Sequence, residues 1–398
     1  MESPSWCRGD SAVSRAVLVR PLRRLRTILA LCLLAVPVAA QPTRSNGADA
    51  HARALAQGWT ALAKGDLTQA SAAAQRAVAE APRSAAAVAL AVEVAIIGAS
   101  PVAGLDAYEQ WMGTKKVDEA YVLRRIATAY LQVAVRERNS GAARIEALKA
   151  LVADGDPAAV ASLAQAAPNA GVVETRLMAE LGDERAVRTL ITQLQQSQPD
   201  KLGTIDALVD SGSKLAVPPL LEILATGRDD DRAAAADALG RLGAQEAIDQ
   251  LKPLLNHANF TVRMTAAGAL YRLGDDAGAS LLDELLNSEH PAVRLSAAEA
   301  LSVRPGGAWL DVARVLTSAA DESVQLNAAR LLAPHDRELA ESVLRRLGQS
   351  GNLAIREEAG RTLADRVAND FATLRRLLRS PDGGTSARAA GRILELTR

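Results

Sequence analysis

A fixed spacing constrains this chain more than any other feature. Leu239, Leu270, Leu301, Leu332, Leu363 and Leu394 follow one another at intervals of 31 residues. Four residues before each stands an alanine: Ala235, Ala266, Ala297, Ala328, Ala359 and Ala390. A second leucine column runs between them, at Leu224, Leu255, Leu286, Leu316, Leu347 and Leu378. A period of this length marks a stacked array, in which one unit cannot bury its apolar face alone and finds that burial on its neighbours.

The residues from Asp231 to Leu255 show what one unit contains. Ala235, Ala238, Leu239 and Leu242 fall on one helical face, and Gly243 follows as a stop. From Glu246, Ile248, Leu251, Leu254 and Leu255 mark a second helix running to Leu255. The unit is a helix–turn–helix. The small side chains of the first helix let backbones approach, and the leucines fill the space between layers. Asn259, His290, Asp321 and Asn352 recur at one phase just before the first helix, where Asn and Asp are N-caps and Pro291 suits the first helical position. Val262-Arg263, Val293-Arg294 and Ile355-Arg356 then open the helix. Leu148, Met178 and Leu208 carry the first column backwards, and Leu163 and Leu194 the second. The pattern predicts eight helix pairs and a lone final helix from Thr385 to Leu396. Two departures stand out. Arg304-Pro305 replaces the expected Leu-Gly and predicts an early stop or a kink, and Gln325 stands where Arg is expected.

These residues resemble HEAT repeats, of the short kind found in bilin-lyase-like HEAT proteins, over residues 139–398, most clearly from about Gly141 onward. The resemblance implies an α-solenoid that acts as a binding scaffold. Residues 49–138 resemble a degenerate tetratricopeptide array. Gly58, Ala61, Gly65-Asp66-Leu67, Ala70, Ala77 and Pro82 stand at its small-residue and turn positions, although Ala54 replaces the usual bulky residue. Residues 84–98 and 101–112 form a second pair, and 117–137 a longer helix with Tyr121, Ile126, Tyr130 and Val133 near one face. The expected fold class is all-α, an α-α superhelix (alpha-solenoid) of TPR-like then HEAT-like helix pairs.

Residues 1–40 read as an export signal. Arg15, Arg20, Arg23, Arg24 and Arg26 give a basic start, Ile28 to Ala40 a short apolar run, and Val38-Ala39-Ala40 the small residues of a cleavage site, so that Gln41 is the expected mature start. The apolar run is too short to span a bilayer comfortably, and no integral membrane span is expected after cleavage. Residues 41–48 read as a flexible mature N-terminus. Cys7 and Cys32 both lie in the leader, so the mature chain has no thiol chemistry and no disulfide framework. The 46 basic and 46 acidic residues become 40 and 44, net −4, without the leader's six arginines and two acids. That balance, with export, argues against nucleic acid, which needs a concentrated basic footprint.

Candidate chemistry is sparse. The four histidines, His51, His257, His290 and His335, do not show a spacing that brings three or four metal ligands together, and none is followed by Glu. No Gly-x-Ser-x-Gly elbow and no phosphate-binding Gly-rich loop occurs. Asp229-Asp230-Asp231, Asp275-Asp276 and Glu357-Glu358 read as loop or first-turn acids that complement helix dipoles. Arg345, Arg346, Arg375, Arg376 and Arg379 are interspersed with acids and read as a solvated face. The aromatic residues concentrate in the N-terminal third, at Trp59, Tyr108, Trp111, Tyr121 and Tyr130, where core packing outweighs a contact surface. No catalytic, cofactor-binding or metal-binding residue is assigned.

The expected function is an exported, non-enzymatic scaffold or adaptor in the periplasm or outside the cell. It binds a protein or peptide on the concave face of an open superhelix on the order of 80 Å long, from helices about 9–10 Å apart. One alternative is a prosthetic-group lyase or chaperone of the kind the resemblance suggests. Another is a structural envelope protein that self-associates, because the final helix lacks a partner and leaves an apolar side for a homodimer.

Overall fold

A computed structural model describes residues 46–113, 117–136, 141–166, 172–196, 201–304 and 306–398. The expected leader, the mature start at Gln41 and most of residues 41–48 lie outside these. Among the described residues there are 22 α-helices and no strands. The N-terminal part comprises α1 (Asn46–Ala63), α2 (Leu67–Glu80), α3 (Ala85–Gly98), α4 (Pro101–Met112) and α5 (Ala120–Arg136). The array follows in pairs: α6 (Gly141–Ala153) with α7 (Pro157–Ala166), α8 (Val172–Glu180) with α9 (Glu184–Gln195), α10 (Lys201–Asp210) with α11 (Val217–Thr226), and α12 (Asp229–Arg241) with α13 (Ile248–Leu251). Next come α14 (Phe260–Arg272) with α15 (Ala279–Leu286), α16 (Pro291–Leu301) with α17 (Trp309–Leu316), α18 (Glu322–Leu332) with α19 (Arg337–Leu347), and α20 (Leu353–Thr362) with α21 (Phe371–Leu378). The last helix is α22 (Gly383–Leu396).

Local chemistry sets the helix ends. Asn259, Asp321 and Asn352 cap α14, α18 and α20 through their side chains, whereas His290 makes no capping bond and leaves the start of α16 to Pro291. Gly243 ends the first helix of its unit at φ +65°, a conformation open to glycine because it has no Cβ. The arginine column satisfies the carbonyls left over at the end of each preceding second helix. Arg263 donates to His257 O at 2.6 Å and Ala258 O at 2.9 Å, Arg294 to Ser288 O at 2.9 Å, and Arg356 to Ser350 O at 2.6 Å. Gln325 fills the same post, donating through Nε2 to Ala319 O at 2.5 Å while its Oε1 accepts from Arg346 at 2.8 Å. The exception in the column therefore keeps its function.

Helix α16 ends at Leu301, the same phase at which α18 ends at Leu332, and Pro305, where an early stop or a kink was expected, lies outside the described residues. Proline decides one detail. The continuous second helix expected up to Leu255 is not seen. It divides into a 3₁₀ turn, the four residues of α13, and a second 3₁₀ stretch from Lys252 to Asn256, because Pro253 has no N–H to continue the ladder. Leu255 is accordingly only partly buried, while the other five leucines of its column are buried.

All six alanines of the first column are 0% exposed, and the six leucines four residues on are buried too. Each first helix, α6, α8, α10, α12, α14, α16, α18, α20 and α22, packs against the next in line. The stack then closes: α22 also packs against α6 and α5. The open 80 Å superhelix expected from sequence is thus replaced by a ring. One continuous core joins Leu123, Ile126, Leu148 and Leu151 near the start to Leu374, Leu378, Ile393 and Leu394 at the end. The apolar side that was expected to stay free on the last helix, for a homodimer, is covered within the chain.

Ion pairs edge the seam. Arg375 bonds Asp118, whose carboxylate also accepts the Tyr108 hydroxyl at 3.0 Å. Arg379 reaches Asp106 and Glu109 at 2.6 Å each, Arg388 lies 3.5 Å from Glu146, and Arg124 donates to Leu394 O at 3.1 Å. Helix α5 is the hub, touching α3 and α4 on one side and α6 and α22 on the other. The helical hairpins α1–α2 and α3–α4 extend from it through the contact of α2 with α3.

Truncating a fully packed leucine costs about 2–5 kcal/mol. We expect Leu394→Ala, at 1% exposure, to fall in this range. The informative result is where hydrogen exchange rises. Closure predicts faster exchange in α5 and α6 as well as in α20 to α22, whereas an open array would loosen only its C-terminal end.

Candidate functional site

Two surfaces deserve comparison as interaction sites, the inner face of the ring and a groove near its last pairs. The inner face belongs to the first helices. They pack closely side by side, while successive second helices barely touch. In a curved double layer the crowded layer is the inner one. Small residues make that crowding feasible: a Cβ on Gly240 would come within 2.8 Å of Ala269 Cα.

Charged side chains on this layer mostly pair from helix to helix. Arg241 reaches Asp206 at 3.4 Å and Asp210 at 3.1 Å, and Arg272 reaches Asp237 at 3.1 Å. Arg361 lies 3.7 Å from Asp382 at the start of α22, besides 2.9 Å from Glu358 on its own helix, while Arg144 and Lys149 reach Glu174 and Glu180 at 2.6 and 2.7 Å. Half-exposed pairs of this kind contribute about 0–1 kcal/mol each. Their effect is to fix the register of neighbouring helices, and they leave few charges available to a partner.

Glu299 is the exception. Its side chain is exposed, yet its carboxyl is held above the usual range by surrounding protein, with Asp237 adding to the rise and Arg330 opposing it. Exposure together with desolvation describes a group on a concave wall that water still reaches. Asp237 and Glu299 lie on helices two places apart, and the helix between them carries Gly268 at the same phase. A carboxyl raised on folding gives a contribution that is complete below its unfolded value, near 4.5, and is lost as pH climbs through the folded value. Glu299→Gln should therefore raise the melting temperature at pH 7 and leave it unchanged at about pH 3.5, as followed by calorimetry.

The groove has a different character. It encloses about 480 Å³ between the pairs α18–α19 and α20–α21 and the start of α22. Leu344, Leu363 and Leu377 form its apolar lining, and Leu353 on its wall is 56% exposed. Arg345, Arg356, Arg376 and Arg379 surround it, against the two acids Glu357 and Asp382. Their engagement differs. Arg345 is held by Glu341 and by Thr373 Oγ1 at 2.8 Å, and Arg379 belongs to the seam. Asp382 caps α22. The Arg376 guanidinium is exposed and has no partner among the described residues, and Arg356 bonds only the Ser350 carbonyl.

The arginines expected to form a solvated face therefore have separate duties. Arg375 and Arg379 close the ring, Arg345 and Arg346 tie neighbouring pairs, and Arg376 alone faces solvent unengaged. Helical phase sets Arg375 beside Leu374 and Leu378 and Arg376 off that face, but nothing local names the partner of Arg375, which lies 257 residues away. The histidines stay apart. His51 lies 3.0 Å from Ala77 O and 3.1 Å from Ser84 Oγ, His257 accepts from Asn259 N at 3.1 Å, and His335 meets the edge of Trp309. No cluster of three metal-ligating groups occurs among the described residues. The paired acids divide: Asp231 is buried beside Lys201, Asp276 pairs with Arg304, and Glu358 with Arg361. Of the N-terminal aromatic residues, Tyr108 is fully buried, while Trp59 and Tyr121 are exposed. No helix among the described residues is long and apolar enough to cross a membrane.

Comparison with known proteins bears on the fold. Residues 217–302 match the HEAT repeats family. No curated protein matches the sequence. Among solved structures, phycocyanin lyase from a Nostoc species, determined as a complex of two chains, is similar at 23% identity over 61% of this chain and 92% of that one, with a TM-score of 0.32. Human deoxyhypusine hydroxylase in complex with glycerol is similar at 18% identity over 69% of this chain and 98% of that one, with a TM-score of 0.34. An engineered protein shares 24% identity over 56% of this chain and 96% of that one, with a TM-score of 0.23. Likeness at this level carries nothing about function. The family match falls on units whose 31-residue columns form the buried layer of stacked helix pairs, and residues 217–302 are HEAT repeats within that array.

Proposed function

We propose that this protein is an exported, non-enzymatic scaffold that binds a protein or peptide partner. HEAT arrays generally mediate protein interactions, and the distribution of polar groups supports that role here. The observation that carries the reading is where the reactive side chains point. Charged groups pair between adjacent helices around the ring, and the four histidines sit in four separate environments. Catalysis needs such groups to converge on one point. Binding needs only a shaped surface with exposed apolar and charged anchors, as in the groove around Leu353 and Arg376.

Export is part of the proposal, and it rests on the basic start, short apolar run and small-residue site of residues 1–40. N-terminal sequencing of the protein from its native cell should begin at Gln41. An intact Met1 in the cytoplasmic fraction would overturn it.

The scaffold reading is tested with residues 41–398 as bait in envelope extract, followed by calorimetry with each purified candidate. Saturable, stoichiometric binding of one protein is expected. If none binds and native mass spectrometry shows a retained small molecule, the ligand-handling alternative replaces this reading.

A further inference from the structure

The groove between the last two helix pairs is a side-chain pocket flanked by cations. We infer that it docks a short acidic–apolar segment of a partner protein, with an apolar side chain seated beside Leu353 and a carboxylate against Arg376 and Arg356. The inference rests on the scaffold reading above and gives its partner a chemistry.

Charge complementarity selects this occupant. Four guanidiniums and two carboxylates line the groove, and Asp382 is already engaged by the backbone N–H of Gly384 and Thr385 and by the Thr385 hydroxyl. A basic segment would meet Arg356 and Arg376 without compensation. A purely apolar one would leave the Arg376 guanidinium as it is, with nothing gained from its position. An acidic–apolar segment satisfies both. It covers Leu353, which is 56% exposed at the start of α20, and it supplies the carboxylate that Arg376 lacks. Charge-assisted pairs of guanidinium and carboxylate are the strong, directional kind. The volume of about 480 Å³ suits one or two side chains of a bound segment rather than a folded domain.

The site is also preorganised. Its floor is made by Leu344, buried in the core of the preceding pair, and by Thr373, whose hydroxyl accepts from Arg345. On its far edge, the residues from Arg379 to Asp382 are fixed by the ring seam and by the cap of α22. A segment binding here pays little to order the receptor.

The test uses the mature chain and fluorescent eight-residue peptides that alternate leucine with aspartate or glutamate. Matched peptides carry lysine or glutamine in place of the acids. Fluorescence anisotropy should show the acidic peptide binding at least tenfold more tightly than the lysine peptide, and more weakly as salt rises. Arg376→Ala and Leu353→Ser should each weaken it tenfold or more at an unchanged melting temperature. Glu357→Gln, which removes an uncapped acid from the groove, should strengthen it, a gain that damage to the fold cannot produce. Arg188→Ala, at an exposed position of α9 far along the array, should change nothing. Equal binding of acidic and lysine peptides, absence of acidic-peptide binding, or indifference to Arg376→Ala would overturn the inference. If a purified protein partner still binds the Arg376→Ala and Leu353→Ser variants normally, the groove assignment fails and the scaffold reading stands. If no protein partner binds at all, the scaffold reading fails.

Discussion

Close approach of neighbouring first helices is the contact on which the structure depends. In six successive units it occurs because the residue at one phase is alanine, from Ala235 to Ala390, and each is sealed from solvent. With no side chain beyond Cβ, two backbones can lie near one another, and the leucine a turn later fills the space beside them. Dispersion and apolar burial then act along the whole array. Because each contact repeats, a small rotation between units repeats as well. Here the accumulated rotation brings the ninth first helix back to the first.

Closure changes what the termini of the array mean. An open solenoid needs polar caps at both ends. This chain has none at α22, whose Ala389, Ala390, Ile393 and Leu394 are buried, and α5 and α6 supply the missing cover. The seam combines that apolar core with guanidinium–carboxylate pairs around its edge, among them Arg375 with Asp118 and Arg379 with Glu109. A pair with both partners largely buried is costly to leave half-made, so Asp118 and Arg375 make closure specific as well as favourable. Tyr108 holds Asp118 from behind and so links the N-terminal hairpins to the seam.

The ring also sorts the charged residues. Most of them bridge adjacent helices and fix register, which leaves the inner face less receptive than its position suggests. The groove differs because its cations are unequally engaged. Arg345 and Arg379 have structural partners, while Arg376 does not. Its candidacy as a contact surface comes from that inequality and from the exposure of Leu353, rather than from concavity alone.

Much of the fold was legible in the sequence. Periodicity fixes which face of each helix is apolar, so the alanine and leucine columns, the glycine stop at Gly243 and the caps at Asn259, Asp321 and Asn352 all follow from local rules. Pro253 was legible too, since its missing N–H forbids a regular second helix there. The groove could not be read in this way. Arg375 and Arg376 are neighbours of the same type, and their roles diverge through Asp118, which lies far away in the chain. Ring closure was equally invisible, because the same columns suit an open array or a closed one. Local sequence determines what each helix buries, through residue size and helical period. Only the tertiary structure, by summing small rotations over nine helices, decides that the two ends meet and which arginines remain free for something else.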